Sequence, residues 1–152
     1  MTKKFFALLM ILSLSVVPAM AEEFAQQKEN ALAAMKVSLP EAVFDYAVRD
    51  YDDGDYEWAL FFEMGSQLGE CEVRESTNEI CEVTLYEKPE GALKASEAMA
   101  LLAEQKGEIV IVELDLDREG KMLIYEGEAE LDGKRYEFEI NAVGEIIEWE
   151  RD

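Results

Sequence analysis

The spacing of apolar residues predicts three amphipathic helices. One covers residues 23–36 and another covers residues 96–106, because apolar side chains recur there every three or four positions. Between them, Ser38 and Glu41 have the spacing of a capping box and Pro40 suits a first helical turn, so a second helix is expected to begin at Ser38. The predicted inward positions are Phe24, Ala31, Leu32 and Met35 in the first helix, Ala42, Val43, Tyr46 and Ala47 in the second, and Ala98, Met99, Leu102 and Ala103 in the third.

A period of two replaces the helical period after the second predicted helix. Residues 56–64 alternate as a strand, and residues 70–75 and 79–87 alternate as a hairpin that reverses near residues 76–78. Phe61 points away from the apolar face of its strand, so we expect it to be exposed and regard it as a candidate binding residue. Ordinary surface or packing against a second layer is the alternative for this side chain. The predicted apolar face of that strand consists of Tyr56, Trp58, Leu60, Phe62 and Met64.

Residues 109–150 alternate in the same way and predict a meander of four antiparallel strands. Glycines at positions 120, 133 and 144 mark the turns. One side is expected to pack against a helix, with Val110, Val112, Leu114, Leu116, Leu123, Tyr125, Ala129, Leu131, Tyr136, Phe138, Ile140, Ile147 and Trp149 turned inward. The other side is solvated and acidic and is a second candidate binding surface, with Glu113, Asp115, Glu126, Glu128, Glu130, Glu137, Glu139 and Glu148.

These elements predict an α+β fold of tandem helix-plus-antiparallel-sheet units, since helical segments precede runs of strands. The Glu-Ala pair at positions 41 and 42 recurs at positions 97 and 98, and Ala47 recurs as Ala103. This offset of 56 residues indicates an internal repeat, unless a few alanines agree by chance. We therefore expect an N-terminal unit over residues 22–88 and a C-terminal unit over residues 89–152.

The N-terminus has the order of a secretory signal peptide over residues 1–21. Two lysines precede an apolar run of 13 residues, and the small-residue site Ala19-Met20-Ala21 follows it. The run is shorter than the roughly 20 residues that a membrane-spanning helix needs. We expect cleavage after Ala21, no membrane insertion of the product, and a periplasmic or secreted location.

The chain is strongly acidic, with 14 basic and 35 acidic residues and a formal net charge of −21. Removal of residues 1–21 takes away two lysines and no acid, which leaves 12 basic residues and a net charge of −23. Such a surface repels phosphate backbones and anionic lipid headgroups, so it excludes nucleic acid as a partner. Solubility or a salty medium is the simpler explanation of this acidity, and a specific cation-binding role is the alternative.

Two cysteines, Cys71 and Cys81, lie in the two strands of the predicted hairpin. If the hairpin is centred on Ser76, the cysteines face each other and form a structural disulfide after export. That bond closes an 11-residue loop and would stabilise the fold by about 2–3 kcal/mol on the chain-entropy estimate. A redox-active pair is the alternative, but such pairs favour the closer Cys-x-x-Cys spacing.

No catalytic constellation is found in the sequence. The chain contains no histidine, which excludes Ser-His-Asp and Cys-His catalysis and every imidazole metal site. It has no glycine-rich phosphate loop, and its carboxylates are too numerous for any one pair to indicate a glycosidase. We therefore expect no enzymatic activity and no cofactor.

The clearest candidate metal site is a string of acids with the ligand spacing of a helix-loop-helix calcium loop. It consists of Asp115, Asp117, Glu119 and Glu126, with a glycine after the third acid. Residues 109–112, shortly before it, are all β-branched and favour a strand, so a hairpin turn is the alternative. Aspartates at positions 50, 52, 53 and 55 form another acidic turn, which is either a weak cation site or a solvated turn.

Residues 96–150 resemble the PepSY domain, a small exported module of one helix and an antiparallel sheet. Asn141 takes the Asp position of the family's closing turn and Val143 takes its Thr position. Residues 38–87 resemble a divergent second copy, so the chain is similar to tandem PepSY-like units with a cystatin-like meander. The resemblance rests on Glu97-Ala98, the strand over residues 109–116, Gly120 followed by Ile124-Tyr125-Glu126, and the segments 131–140 and 141–146.

The resemblance implies a non-catalytic protein-binding or regulatory module of the cell envelope, of the kind found in peptidase propeptides. An envelope or secreted peptidase, or another protein, is then the expected partner, and peptidase inhibition is one expected role. The alternative function is that of an acidic protein that binds or buffers cations such as calcium.

Overall fold

A computed structural model describes the backbone of residues 2–152 and the side chains of residues 19–152. The predicted signal peptide, residues 1–21, lies largely outside the residues with described side chains, and its cleavage stays a prediction. Within the described residues, no helix combines the length and the apolarity that crossing a membrane requires. The elements in chain order are α1 (Thr2–Ser38), β1 (Val43–Asp52), β2 (Asp55–Met64), β3 (Gln67–Arg74), β4 (Glu79–Glu87), α2 (Ala95–Lys106), β5 (Val110–Glu119), β6 (Met122–Leu131), β7 (Lys134–Asn141) and β8 (Ile146–Arg151).

The chain contains the same unit twice, a helix followed by a four-stranded antiparallel meander. Strands β1–β4 form sheet A and strands β5–β8 form sheet B, each in sequence order. Val43 and Val110, which begin β1 and β5, are 67 positions apart, and the same offset relates the first residues of the other three strand pairs. The predicted α+β fold of tandem helix-plus-sheet units is therefore confirmed. The predicted offset of 56 is wrong, because it aligned Ala47, which lies in a strand, with Ala103, which lies in a helix.

The predicted second helix is wrong, because the segment after α1 forms strand β1. Pro40 disfavours the helical conformation for Leu39, so α1 ends at Ser38. The turn that follows is closed by the backbone N–H of Ala42, which donates to the carbonyl of Leu39 at 3.0 Å. The next residues are mainly β-branched and aromatic, and such side chains pack well on a pleated sheet, which favours the strand.

Sheet A is the middle layer of the molecule, with an apolar cluster on each side. Helix α1 covers one side, whereas α2 and the inner side of sheet B cover the other. The cluster beneath α1 contains Ala31, Met35, Trp58, Leu60, Phe62, Cys71 and Val73. The cluster between the sheets contains Val48, Ala59, Phe61 and Leu68 of sheet A, Ala95, Ala98, Met99 and Leu102 of α2, and Leu114, Leu116, Leu123, Tyr125, Ala129, Phe138 and Ile140 of sheet B.

Phe61 is buried, which corrects the prediction of an exposed binding residue at this position. It is 2% exposed, and its ring centroid lies 6.4 Å from that of Tyr125 in sheet B and 6.5 Å from that of Tyr46. The alternation of β2 was predicted correctly. Phe61 is buried because the C-terminal unit covers the second side of sheet A. The alternation within one strand does not reveal that a second unit packs on it.

β-Bulges in sheet B shift side chains relative to the predicted alternation. One extra residue in β5, Val112, and one in β8, Ile147, interrupt the strand pairing. As a result Val110 and Ile147, both predicted to face inward, are exposed, whereas Ile111 and Ile146 pack against the core. Sheet A carries bulges at the corresponding places in β1 and β4.

The predicted disulfide is not formed, and both cysteines are free. Cys71 lies opposite Val83, and Cys81 is the extra residue of the bulge in β4. Cys71 is buried beneath α1, whereas Cys81 is exposed with its Sγ 3.5 Å from Oε1 of Glu57. Because Glu57 alternates with Trp58, which faces α1, the two thiols lie on opposite sides of sheet A. The bulge is the physical reason, since it shifts the pairing of the hairpin.

Candidate functional site

The outer side of sheet B carries two rows of carboxylates that cross all four strands. Each carboxylate of a row lies directly opposite the next one in the strand pairing. The predicted acidic side of this sheet is confirmed, with Glu150 added to it. Glu130, which was also predicted there, lies opposite Val110 and Arg135 and so stands outside the two rows. We name these eight side chains the acidic face: the first row is Asp115, Glu126, Glu139 and Glu148, and the second row is Glu113, Glu128, Glu137 and Glu150.

The acidic face is electrostatically costly to the fold. Like charges directly opposite each other in a sheet are destabilising. Among the side chains that the structure describes, the acidic face has one ion pair, between Arg135 and Glu128 at 2.7 Å. Burial, and after it the charges of neighbouring acids, raises the pKa of Glu113, Asp115, Glu126 and Glu139. The face is therefore suited to a ligand that brings positive charge.

A shallow depression of about 230 Å³ lies in the middle of the acidic face. Gly127 and Phe138 line part of it, and every other residue around it is a carboxylate of the acidic face. Converging carboxylates form strong, charge-assisted hydrogen bonds with lysine and arginine side chains. The chemistry of the depression thus favours cationic groups over apolar ones.

The acidic face continues into a cluster of three carboxylates between the two units. Glu70 and Glu72 of β3 and Asp115 of β5 each place one carboxylate oxygen within 4.8 Å of the others. Glu70 is 5% exposed, and its Oε2 accepts a hydrogen bond from the backbone N–H of Leu116 at 2.8 Å. Burial is the main cause that raises the pKa of Glu70 to about 8, and the hydrogen bond from Leu116 opposes that rise.

An open cleft of about 650 Å³ lies beside this cluster, where strands of sheet A approach β5. Two arginines line the cleft, but each forms an ion pair with an acid: Arg49 with Glu75 at 2.6 Å, and Arg135 with Glu128 at 2.7 Å. The acids that line the cleft are Asp50, Asp52, Glu57, Glu72, Glu113 and Asp115. The cleft therefore extends the negative surface from the acidic face to the junction of the two units.

The four acids predicted as a calcium loop lie on a hairpin and not between two helices. Asp115, Asp117 and Glu119 belong to β5, and Glu126 lies opposite Asp115 in β6. Asp117 and Glu119 follow the strand toward the turn and are exposed. The helix-loop-helix geometry is absent from these described residues because the β-branched segment before them continues as a strand. Asp115 joins the cluster between the units instead.

Glu70 and Glu72 are not among the site residues predicted from the sequence. The alternation of the hairpin places both on the side of β3 opposite Cys71 and Val73, and the structure agrees. Nothing in that pattern shows that β5 covers this side. The burial of Glu70 therefore has no local signal in the sequence.

Comparison with known proteins relates the C-terminal unit to a family. No curated protein matches the sequence. The crystal structure of a "putative lipoprotein" from Clostridium difficile 630 aligns with a TM-score of 0.45 and 12% identity, over 80% of this chain and 90% of that chain. The PepSY family model, described as "Peptidase propeptide and YPEB domain", matches residues 92–150. The matched segment contains α2 and all of sheet B apart from its last residue, so the C-terminal unit of this chain is the part that is similar to the PepSY domain.

Proposed function

We propose that this protein is a non-catalytic, extracytoplasmic module that binds a partner protein through the acidic face, and that the partner is an envelope or secreted peptidase. The PepSY match supports the class of partner, because the description of the family model names peptidase propeptides. The N-terminal order of lysines, apolar run and small residues supports export. The observation that carries the proposal is the pair of carboxylate rows across sheet B.

Binding through the acidic face would depend on charge complementarity. The opposed carboxylates repel one another, and a basic surface that covers them relieves the repulsion and forms ion pairs. The net charge of −21 attracts such a partner from a distance and raises the association rate at low salt. A peptidase held in this way is restrained without any chemical step performed by this chain.

The test is to measure binding to, and inhibition of, a panel of secreted and envelope peptidases. The triple variant Glu126→Gln, Glu139→Gln and Glu148→Gln removes three charges from the first row while it keeps the size of the side chains. We expect the triple variant to bind about tenfold more weakly, mainly through slower association. We also expect the affinity of the wild type to fall as the salt concentration rises.

A matched control variant separates the acidic face from total charge. The triple variant Glu90→Gln, Glu104→Gln and Glu108→Gln removes the same charge from exposed positions outside the acidic face. It should keep the wild-type affinity to within about twofold. Equal losses in both triple variants, or no binding and no inhibition at micromolar concentration across the panel, would refute the proposal.

A further inference from the structure

The carboxylate of Glu70 is buried with only one of its two oxygens satisfied. Its Oε2 accepts from the backbone N–H of Leu116, on the edge strand of sheet B. Its Oε1 is shielded from solvent and has no hydrogen-bond partner among the described residues. An unpaired buried carboxylate oxygen is costly, because it has lost water without gaining a replacement.

The surroundings of Glu70 add negative charge. Glu72 and Asp115 place their oxygens within 4.8 Å of a Glu70 oxygen, and the charge of Glu82 also acts on this group. None of the ion pairs among the described side chains involves Glu70, Glu72 or Asp115. A cation from solution is the group that would satisfy all three carboxylates at once.

The spacing and the donor atoms fit a hard divalent cation. Ca²⁺ binds six to eight oxygens at about 2.3–2.6 Å, so oxygens on opposite sides of the ion lie about 5 Å apart. Three oxygens that all lie within 4.8 Å of one another fit inside that limit. The set contains only carboxylate oxygens, which favour Ca²⁺, Mg²⁺ or Mn²⁺ over softer metals, and the adjoining open cleft admits water as the remaining ligands.

We infer that Glu70, Glu72 and Asp115 bind one hard divalent cation, of which Ca²⁺ is the best fit, at the junction of the two units. Glu70 and Glu72 belong to sheet A and Asp115 belongs to sheet B, so the ion links the N-terminal unit to the C-terminal unit. Binding to the folded chain alone stabilises it by mass action. The ion needs no peptidase partner, since its ligands come from this chain alone, although Asp115 also belongs to the acidic face.

The experiment is a calorimetric titration of Ca²⁺ into the exported protein after removal of bound cations, repeated with Mg²⁺ and Mn²⁺. Acidic sites in extracellular modules bind Ca²⁺ at roughly 0.1–1 mM, so the titration extends to about 10 mM. We expect saturable binding of one ion per chain and a rise in the melting temperature with Ca²⁺ concentration. Diffraction from crystals soaked in Mn²⁺ should show an anomalous peak between the three carboxylates.

Matched variants distinguish this site from diffuse binding to the acidic face. Glu72→Gln and Asp115→Asn each remove one ligand charge and should weaken the one-to-one binding at least about tenfold. Glu148→Gln removes one charge from the far end of the row that contains Asp115 and should bind as the wild type does. Glu72 and Asp115 are only partly buried, which favours folding of both variants, and their melting curves without cation verify it.

Two results would overturn the inference. The first is a wild-type protein that shows no saturable binding of Ca²⁺, Mg²⁺ or Mn²⁺. In that case Glu70 would be a protonated group that shares its proton with Glu72 or Asp115. The second is equal binding in the wild type, Glu72→Gln and Asp115→Asn. That result would assign any bound ions to the acidic face as a whole, and it would leave the proposed peptidase binding untouched.

Discussion

At the scale of single residues, the carboxylate of Glu75 organises one edge of the N-terminal unit. It accepts hydrogen bonds from Nε and Nη2 of Arg49 at 2.6 and 2.7 Å and from Nε1 of Trp58 at 3.0 Å. The guanidinium of Arg49 also lies 4.5 Å from the ring centroid of Phe24 in α1 and 3.6 Å from that of Tyr56 in β2. Glu75 therefore holds the guanidinium of Arg49 in the position where it contacts both α1 and sheet A.

Replacement of Glu75 by alanine should destabilise the protein more than its partly exposed position would indicate. The change leaves the Arg49 charge and the Trp58 N–H without their acceptor, and we expect a loss of about 2–3 kcal/mol in the free energy of unfolding. Urea denaturation monitored by fluorescence measures it. Glu79→Ala, at an exposed position of the next strand, is the matched control and should change the stability by less than about 0.5 kcal/mol. Equal effects of the two variants would contradict the role assigned to Glu75.

The two free thiols should differ in their reactivity toward an alkylating reagent. Burial raises the pKa of the Cys71 thiol to about 11, whereas Cys81 is exposed. We expect an alkylating reagent to modify Cys81 in the native protein and to modify Cys71 only after unfolding, because the thiolate must be accessible to react. Intact-mass spectrometry then shows one adduct before unfolding and two after it. A native protein that takes up no adduct without reductant, and two adducts after reduction and unfolding, would instead indicate a disulfide.

At the scale of elements, local patterns predicted β2 and α2 closely and failed where pairing decides the outcome. The helix predicted over residues 96–106 is Ala95–Lys106, and the strand predicted over residues 56–64 is Asp55–Met64. A bulge, by contrast, exists only relative to a partner strand, so the alternation of β4, β5 or β8 alone cannot reveal it. The capping-box spacing of Ser38 and Glu41 led to the wrong prediction of a second helix. The same residues are also tolerated in a turn that leads into a strand.

Gly127 allows β6 to pair closely with β5, so a larger residue at this position should destabilise the sheet. A Cβ atom at this position would lie 2.1 Å from the backbone oxygen of Glu113 and 3.0 Å from Cα of Leu114. Backbone atoms of a paired strand cannot move aside, so Gly127→Ala should destabilise the protein by about 3 kcal/mol or more. Thermal unfolding followed by circular dichroism measures the change. The control is Gly65→Ala, where the φ of 61° costs about 1 kcal/mol but the added Cβ meets no atom. Equal losses of stability in the two variants would contradict the role of close strand approach at Gly127.

At the scale of the whole molecule, the sequence did not predict how the two units pack against each other. The tandem architecture follows from repeated runs of helix and strands, and the solvated side of sheet B follows from its alternating glutamates. The burial of Phe61 and Glu70 requires knowledge that the second unit packs on sheet A. That packing joins residues 46 positions apart, such as Glu70 and Leu116, and no local period encodes it.

Crowded carboxyls at this junction and on the acidic face make the stability of the molecule depend on pH in a defined direction. The pKa of Glu70 is about 8 in the folded chain against an ordinary value of 4.5, and the pKa values of Glu113, Glu126 and Glu139 are raised as well. Between pH 4.5 and pH 8 the folded chain therefore binds more protons than the unfolded chain does. The stabilisation from the protonated carboxyl is complete below the lower value and is lost as the pH rises through the upper one.

In cation-free buffer, the wild type should therefore melt at a lower temperature at about pH 8.5 than at about pH 5.5. Glu70→Gln has the shape of the protonated carboxyl and carries no charge at either pH. It should flatten the dependence and melt above the wild type at the higher pH, because it removes the cost of an ionised buried group. Glu148→Gln changes the far end of the acidic row, in the edge strand β8, and should keep the slope of the wild type. A wild type that melts higher at the alkaline pH, or a Glu70→Gln protein with the wild-type slope, would show that Glu70 is not the group that carries the proton.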